Sequence, residues 1–370
     1  MGEGRRRLPD PGAVHDEAEI EAVVEVLRTT TLGIGTNVAE VERRVAALLA
    51  RRHGVMVNSG SSALRLAVDL LDLQPGDEVI TPALTFGTDV APLVQVGAVP
   101  AFVDVDRSTY QIDVDGMEAM VADRTRAILA PNLVGNVPDW DGIRAVADAH
   151  GLRVVEDSCD VLDARLHGRP TGERADLSAT SFARGHAITA AGGGGLLGVD
   201  DEADLDRAVA LRRWGRRGET YEFGSRRGQR DRFGPLADGT PYDLVFVFDH
   251  VGHNFEPLEI AAAYAVAQLD KLERFNARRQ ANWDRLDAFF ADHEDRVERP
   301  RTTEGAETTW MRYPFILRDG LDRTQVQRAL EKRGVPTLMV WTGNICRQPG
   351  FAGIERREPE GGLPNADRIM

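Results

Sequence analysis

The order of apolar runs predicts an α/β fold on a mostly parallel sheet. Three observations carry that expectation. Short apolar runs alternate with longer stretches of helical spacing, a turn of small residues follows the first run, and a glycine run precedes the last. Parallel strands need a crossover between them, and helices on both faces then cover the sheet. In such sheets ligands gather at the carboxyl ends of the strands.

Residues 23–27 and 38–49 space their apolar side chains as helices do, with Gly33-Ile-Gly-Thr as a loop between them. Residues 55–57 predict a strand, Asn58 to Ser62 a turn, and 63–71 a helix. That succession suits a phosphate, because the first amides of a helix have no internal acceptor. Pro75-Gly76-Asp77 is a turn before a strand at 78–81. A helix at 91–96, strands at 100–105 and 126–131, a helix at 140–150 and a strand at 152–155 continue the alternation, and 196–199 form a strand after the glycines. Residues 212–249, rich in Arg, Gly and Asp, lack periodicity and are expected as an irregular excursion outside the core. Residues 260–289 predict helix leading into a smaller domain, 313–317 a strand, and 324–334 a helix opened by Asp322 or Thr324 and stopped by Gly334 and Pro336. The expected division is a large domain over 1–255 and a small α+β domain over 256–370.

The chain of 370 residues is 42% hydrophobic and 28% charged, as ordinary globular proteins are. A net charge of -14 and a pI near 5.1 exclude a nucleic-acid or anionic-membrane surface. They leave room for a small anion held by backbone amides and a few arginines. No apolar run approaches a membrane span, and the polar residues 1–12 lack the apolar core of a secretion signal, so a cytoplasmic location is expected. Cys159 and Cys346 are too few for a disulfide framework or an iron–sulfur cluster, and no metal is expected. Only two lysines are present, Lys271 and Lys332, both in charged helical stretches and expected to be solvated.

The segment Ser181-Phe182-Ala183-Arg184-Gly185-His186, followed by Gly192 to Gly195, joins four others in order: Asn58-Ser-Gly-Ser-Ser-Ala63, Thr81-Pro-Ala-Leu-Thr-Phe86, Glu156-Asp-Ser-Cys-Asp160 and His253-Asn254. From the Thr29 region to Met370 the chain resembles the DegT/DnrJ/EryC1/StrS sugar aminotransferases and dehydratases. It most resembles the branch of sugar 3-dehydratases with histidine in place of the cofactor lysine. The resemblance implies the type I fold of pyridoxal phosphate enzymes, similar to aspartate aminotransferase. It also implies pyridoxal or pyridoxamine phosphate bound without a covalent link. An imidazole cannot anchor the cofactor, but it can move protons near neutral pH; arginine cannot replace the lysine either, because it stays protonated.

The resemblance assigns roles residue by residue. Gly60, Ser61 and Ser62 fall at the phosphate turn, and Ser181 donates to the same phosphate. Phe86 stacks on the pyridine ring, although by itself it reads equally as a core residue. Asp157 faces the pyridine nitrogen, where a carboxylate keeps the ring protonated and able to accept electrons. Asp160 contacts the ring hydroxyl or orients His186. Cys159 reads as a packed thiol. Asn254 reaches the phosphate of a neighbouring subunit, which implies a homodimer with shared sites. Arg347 meets a sugar hydroxyl or a diphosphate, or is a plain surface residue, and Asn136 lines the same cleft. His186 is the proton carrier, where a bare reading gives a polar loop residue.

The implied reaction removes the 3-hydroxyl from a keto sugar on a nucleotide or nucleoside carrier, with glutamate restoring the amine. Two alternatives stand beside it: a sugar aminotransferase, and a non-catalytic partner protein on the same fold. Ala183 and Gly192 depart from the family pattern. No cysteine lies in the stretch directly after Trp214-Gly215, residues 216–223, where one branch of the resembling dehydratases binds a cluster, so a cluster-dependent reductive route is not expected. The resemblance would continue through a strand and helix beyond Met370, so a truncated or unusual terminus is expected.

Overall fold

The computed structural model describes residues 8, 12–29, 31–229 and 233–370. Most of the polar stretch 1–12 therefore lies outside the described residues, as does part of the excursion at 212–249. The helices are α1 Glu17–Leu27, α2 Thr36–Leu48, α3 Gly60–Leu70, α4 Gly87–Gln95, α5 Val114–Met117, α6 Trp140–His150, α7 Glu202–Arg212, α8 Gly218–Glu222, α9 Glu259–Leu269, α10 Leu272–Ala291, α11 Arg323–Lys332 and α12 Pro364–Ile369. The strands are β1 His53–Val57, β2 Glu78–Pro82, β3 Val99–Val103, β4 Thr125–Pro131, β5 Arg153–Asp157, β6 Arg165–Leu166, β7 Arg169–Pro170, β8 Leu177–Ser181, β9 Gly195–Val199, β10 Phe233–Pro235, β11 Pro241–Asp243, β12 Val297–Glu298, β13 Ala306–Glu307 and β14 Ile316–Leu317.

Seven strands form the central sheet in the order β1-β9-β8-β5-β4-β2-β3. The run from β3 to β8 is parallel, and β9 is antiparallel to both β8 and β1. β1 therefore points the same way as the parallel core, and only β9 is reversed. Successive side chains go to opposite faces. Val55, Val57, Val79, Leu129 and Val155 pack under α3 and α7, while Ile80, Ile128, Ala130 and Val154 pack against Trp140, Ile143 and Ala147 of α6. Both faces are thus covered, which is why β3, β8 and β9 are buried at every position.

α3 begins earlier than periodicity suggests, because the Ser59 side chain caps it by accepting from the Ser62 amide. α2 is tied to α9 by Glu259, whose buried carboxylate accepts from the amides of Gly35, Asn37 and Val38.

Four expectations need correction. Residues 260–289 are two helices, broken at Asp270 and Lys271. Lys271 is not solvated: its ammonium meets Asp16 and Glu19, and its side chain is 13% exposed. The predicted excursion begins inside the core, where the fully buried Arg212 guanidinium donates to Glu42 and to the Met56 carbonyl. The strand at 313–317 shrinks to β14. The C-terminal part also reaches back to the first part of the chain: β13 pairs with β6 in a separate three-stranded sheet with β7, and single bridges join Leu84 to Asn344 and Ala101, in β3, to Arg357. No helix among the described residues is long and apolar enough to cross a membrane.

Candidate active site

The carboxyl ends of β1, β2, β4, β5 and β8 lie along one edge, and the chain leaving each carries a functional group. β1 feeds the turn into α3. A Cβ on Gly60 would stand 2.5 Å from the Ser181 Cβ, and a Cβ on Gly195 would stand 2.5 Å from the Gly60 nitrogen. Three segments therefore close on each other at glycines. The Ser62 hydroxyl is spent inside this turn, donating to Asn58 Oδ1 at 2.6 Å. Ser61 is exposed, and its hydroxyl has no partner among the described residues. Ser181 Oγ accepts from the Ala183 amide at 3.2 Å and keeps its own proton to donate. Two opening amides of α3, the Ser61 hydroxyl and the Ser181 hydroxyl make a cradle that fits a phosphate.

β5 ends at Asp157, which is 7% exposed and whose Oδ1 accepts from the Cys159 amide at 2.9 Å. Against it lies Asp89, fully buried in the first turn of α4. Thr85 Oγ1 donates to Asp89 Oδ2, while the buried Asp89 Oδ1 meets no donor among the described residues and faces Asp157. Burial pushes both carboxyls upward, and the charge of Asp157 raises Asp89 further; hydrogen bonds to Cys159 and Asp89 hold Asp157 back. Two carboxyls so placed share one proton. Asp89 is pushed up more strongly than Asp157, so the shared proton favours Asp89. Sequence reading missed Asp89, because an acid in a first helical turn usually serves only the helix dipole.

His186 sits on the loop between β8 and β9 with its side chain 18% exposed. Its Nδ1 is 2.7 Å from the Cys159 carbonyl oxygen, so Nδ1 carries the hydrogen and Nε2 is the free base. Burial lowers its pKa below the usual histidine value, against the carbonyl and the Asp157 charge, which favour protonation. Asp160 Oδ1 stands 3.6 Å from His186 Nδ1, and Asp160 Oδ2 accepts from the Val134 amide at 2.8 Å and from Trp341 Nε1 at 2.9 Å. Burial and the Asp157 charge push the Asp160 carboxyl up to about 7. Val134 is held at φ 59, a costly conformation for a β-branched residue, by this bond and by the Met311 amide on its carbonyl. Cys159 is half-buried, and its thiol is pushed upward by desolvation and by the nearby Asp157.

Phe86 is 48% exposed and meets Trp341 edge to face, with centroids 5.7 Å apart. Asn254 is exposed beside the cradle, and its carbonyl lies 3.5 Å from Asn58 Nδ2. Two other expected residues stand elsewhere. Asn136 is fully buried and donates to Thr109, Arg301 and Thr303, so it brackets two chain segments and leaves no face for a ligand. The exposed Arg347 grips Asp367 through two nitrogens and is turned to the surface. A cavity of about 870 Å³ opens beside the site, with Val134, Arg184, Arg312 and Trp341 among its walls. Trp341 and Arg312, neither singled out by sequence, come from the C-terminal part and carried no local motif.

The sequence model of the DegT/DnrJ/EryC1/StrS aminotransferase family matches residues 14–370. A lipopolysaccharide biosynthesis protein, RfbH, of Salmonella typhimurium is 33% identical over 99% of this chain and 86% of its own length. A dTDP-4-dehydro-2,6-dideoxy-D-glucose 3-dehydratase of Saccharopolyspora spinosa is 36% identical over 99% of this chain and 81% of its own. The solved structure of the E. coli GDP-4-keto-6-deoxy-D-mannose-3-dehydratase with bound hydrated PLP superposes with a TM-score of 0.87 at 26% identity, covering 98% of this chain and 93% of that one.

Proposed function

Because the chain belongs to the DegT/DnrJ/EryC1/StrS aminotransferase family, we propose that it is a dehydratase that removes the 3-hydroxyl of a keto sugar carried on a nucleotide or nucleoside. The observation that carries this reading is His186, standing where the family has lysine, with Nε2 free and Nδ1 bound to a carbonyl. Pyridoxal or pyridoxamine phosphate, held without a covalent link, would supply an electron sink when bound, and its pyridoxamine form the amine. The α3 amides, Ser61 and Ser181 hold its phosphate, with Asn254 of a second subunit added in a homodimer. Asp157, the less strongly raised carboxyl of the pair with Asp89, is the group placed to stabilise positive charge on the ring nitrogen. Phe86 covers one ring face. His186 Nε2 takes a proton at the reacting carbon and returns one to the departing hydroxyl. Glutamate would be the donor of that amine.

The test is to mix the purified protein with pyridoxamine phosphate and a panel of nucleotide-linked 4-keto-6-deoxy sugars, and to follow the sugars by mass spectrometry. Loss of water at C3 is expected; unchanged sugars across the panel would overturn the reading. The family's own description favours a second reading, a sugar aminotransferase. Against it, Lys271 is bound to two acids and Lys332 is exposed on α11. Borohydride would trap cofactor on a lysine only under that second reading. A third reading, a non-catalytic partner protein, would be favoured by failure to bind the cofactor together with stable association with another enzyme of the pathway.

A further inference from the structure

Asp157 does not stand alone at the end of β5. A second acid, Asp89, lies against it, fully buried in the first turn of α4. An acid in a first helical turn serves the helix by reaching back to the amide before it, and Asp89 does so toward Phe86. That purpose leaves one oxygen over. Oδ2 accepts from Thr85 Oγ1, whereas Oδ1 is buried and meets no donor among the described residues, and the carboxyl is in hydrogen-bond contact with Asp157. The carboxyl cannot swing away. The Asp89 amide closes a turn on the Phe86 carbonyl at 3.1 Å, and Thr342 Oγ1, from the C-terminal part, donates to the Thr85 carbonyl at 2.6 Å.

Two carboxyls in contact need a proton between them, because two bare charges out of water repel. The titratable groups around the pair do not relieve this. Cys159 and Asp160, on the chain after β5, are acids themselves. His186, on the loop between β8 and β9, acts on Asp157 but is held below its usual pKa by burial. Arg312 acts on Asp160 and His186. What the pair lacks is a positive charge on the cleft side of Asp157.

We propose that Asp89 is a positioning residue that acts through Asp157: it gives up its proton when Asp157 takes a cationic ring nitrogen, so that cofactor binding and proton release are one linked event. This rests on the cofactor reading given above. The O–H bond of Asp89 breaks, the proton leaves through the cleft to the buffer, and the pair passes from one negative charge to two, matched by the positive ring nitrogen. The linkage is reciprocal, so raising the pH to remove that proton tightens the ring. Asp157 without a second acid has no such dependence.

Calorimetry on the full-length protein counts the proton without turnover. Pyridoxamine phosphate would be titrated at pH 7 in two buffers of different ionisation heat, into the parent and into Asp89→Asn. The parent is expected to release about half a proton more than the variant, and its affinity to rise about 10-fold more between pH 6 and pH 8. Thr85→Val removes the donor to Asp89 Oδ2 and is expected to move that rise to higher pH. Benzyl phosphate, which fills the cradle without a ring nitrogen, is expected to release equally from parent and Asp89→Asn. Equal release with pyridoxamine phosphate, or an Asp89-dependent release with benzyl phosphate, would overturn the inference and leave the cofactor reading standing. If Asp89→Asn does not fold, an unmoved pH dependence in Thr85→Val overturns it instead. Pyridoxamine phosphate that fails to bind the parent would sink the cofactor reading and this inference with it.

Discussion

The Nδ1 atom of His186 lies 2.7 Å from the carbonyl oxygen of Cys159, two residues beyond Asp157. One short chain segment thus sets both the tautomer of the base and the position of the acid that faces it.

Replacing His186 by Gln keeps a donor for that carbonyl but removes the base. Turnover is expected to fall about 10²- to 10⁴-fold, with pyridoxamine phosphate affinity nearly unchanged by fluorescence titration. Unaltered turnover would remove His186 from the reaction.

Asp160 titrates at about 7. The pH profile of kcat/KM is therefore expected to inflect near that value, and Asp160→Asn is expected to abolish the inflection. The His186 limb lies lower, below the ordinary histidine range, because burial disfavours the imidazolium. A profile unchanged by Asp160→Asn would contradict this assignment.

Asp89 keeps a proton in the folded chain that it releases on unfolding above its ordinary pKa of 3.8. Its contribution to stability is whole below pH 3.8 and is lost as pH rises toward the raised folded value. Asp89→Asn should therefore be more stable than the parent at pH 7, with the gap closing near pH 4. Urea unfolding at the two pH values measures it.

Gly60→Ala would drive a methyl to 2.5 Å from the Ser181 Cβ. About 1–3 kcal/mol of stability is expected to be lost, along with cofactor affinity, because the cradle must widen. Thermal melting and a pyridoxamine phosphate titration follow the two effects.

The buried half of the molecule was largely legible from the chain alone. Val55, Val79, Leu129 and Val155 sit in short apolar runs that allow little besides a covered strand. The positions of Gly60, Asp157, Ser181 and His186 at or just beyond strand ends were legible because each stands close after such an apolar run; their roles remain part of our proposal. What lay outside was long-range. Nothing near Asp89 announces Asp157, and nothing near Arg312 or Trp341 announces Asp160, because those partners meet only through folding. Asn136 misled because closeness to a strand end does not reveal which way an amide points. The break at Lys271 was hidden because Asp16 and Glu19, which hold it, are some 250 residues away. The division at residues 255 and 256 remains our proposal for the chain's organisation.

The lone reversal in the sheet has an evolutionary corollary. Since β9 runs against β8, residues 182–194 leave and rejoin the sheet on the same side, hanging over the pocket like a detachable handle. Swapping one side chain on that handle can exchange a tethered coenzyme for a loose one without disturbing a single strand. A new chemistry could thus arise on this scaffold through one codon.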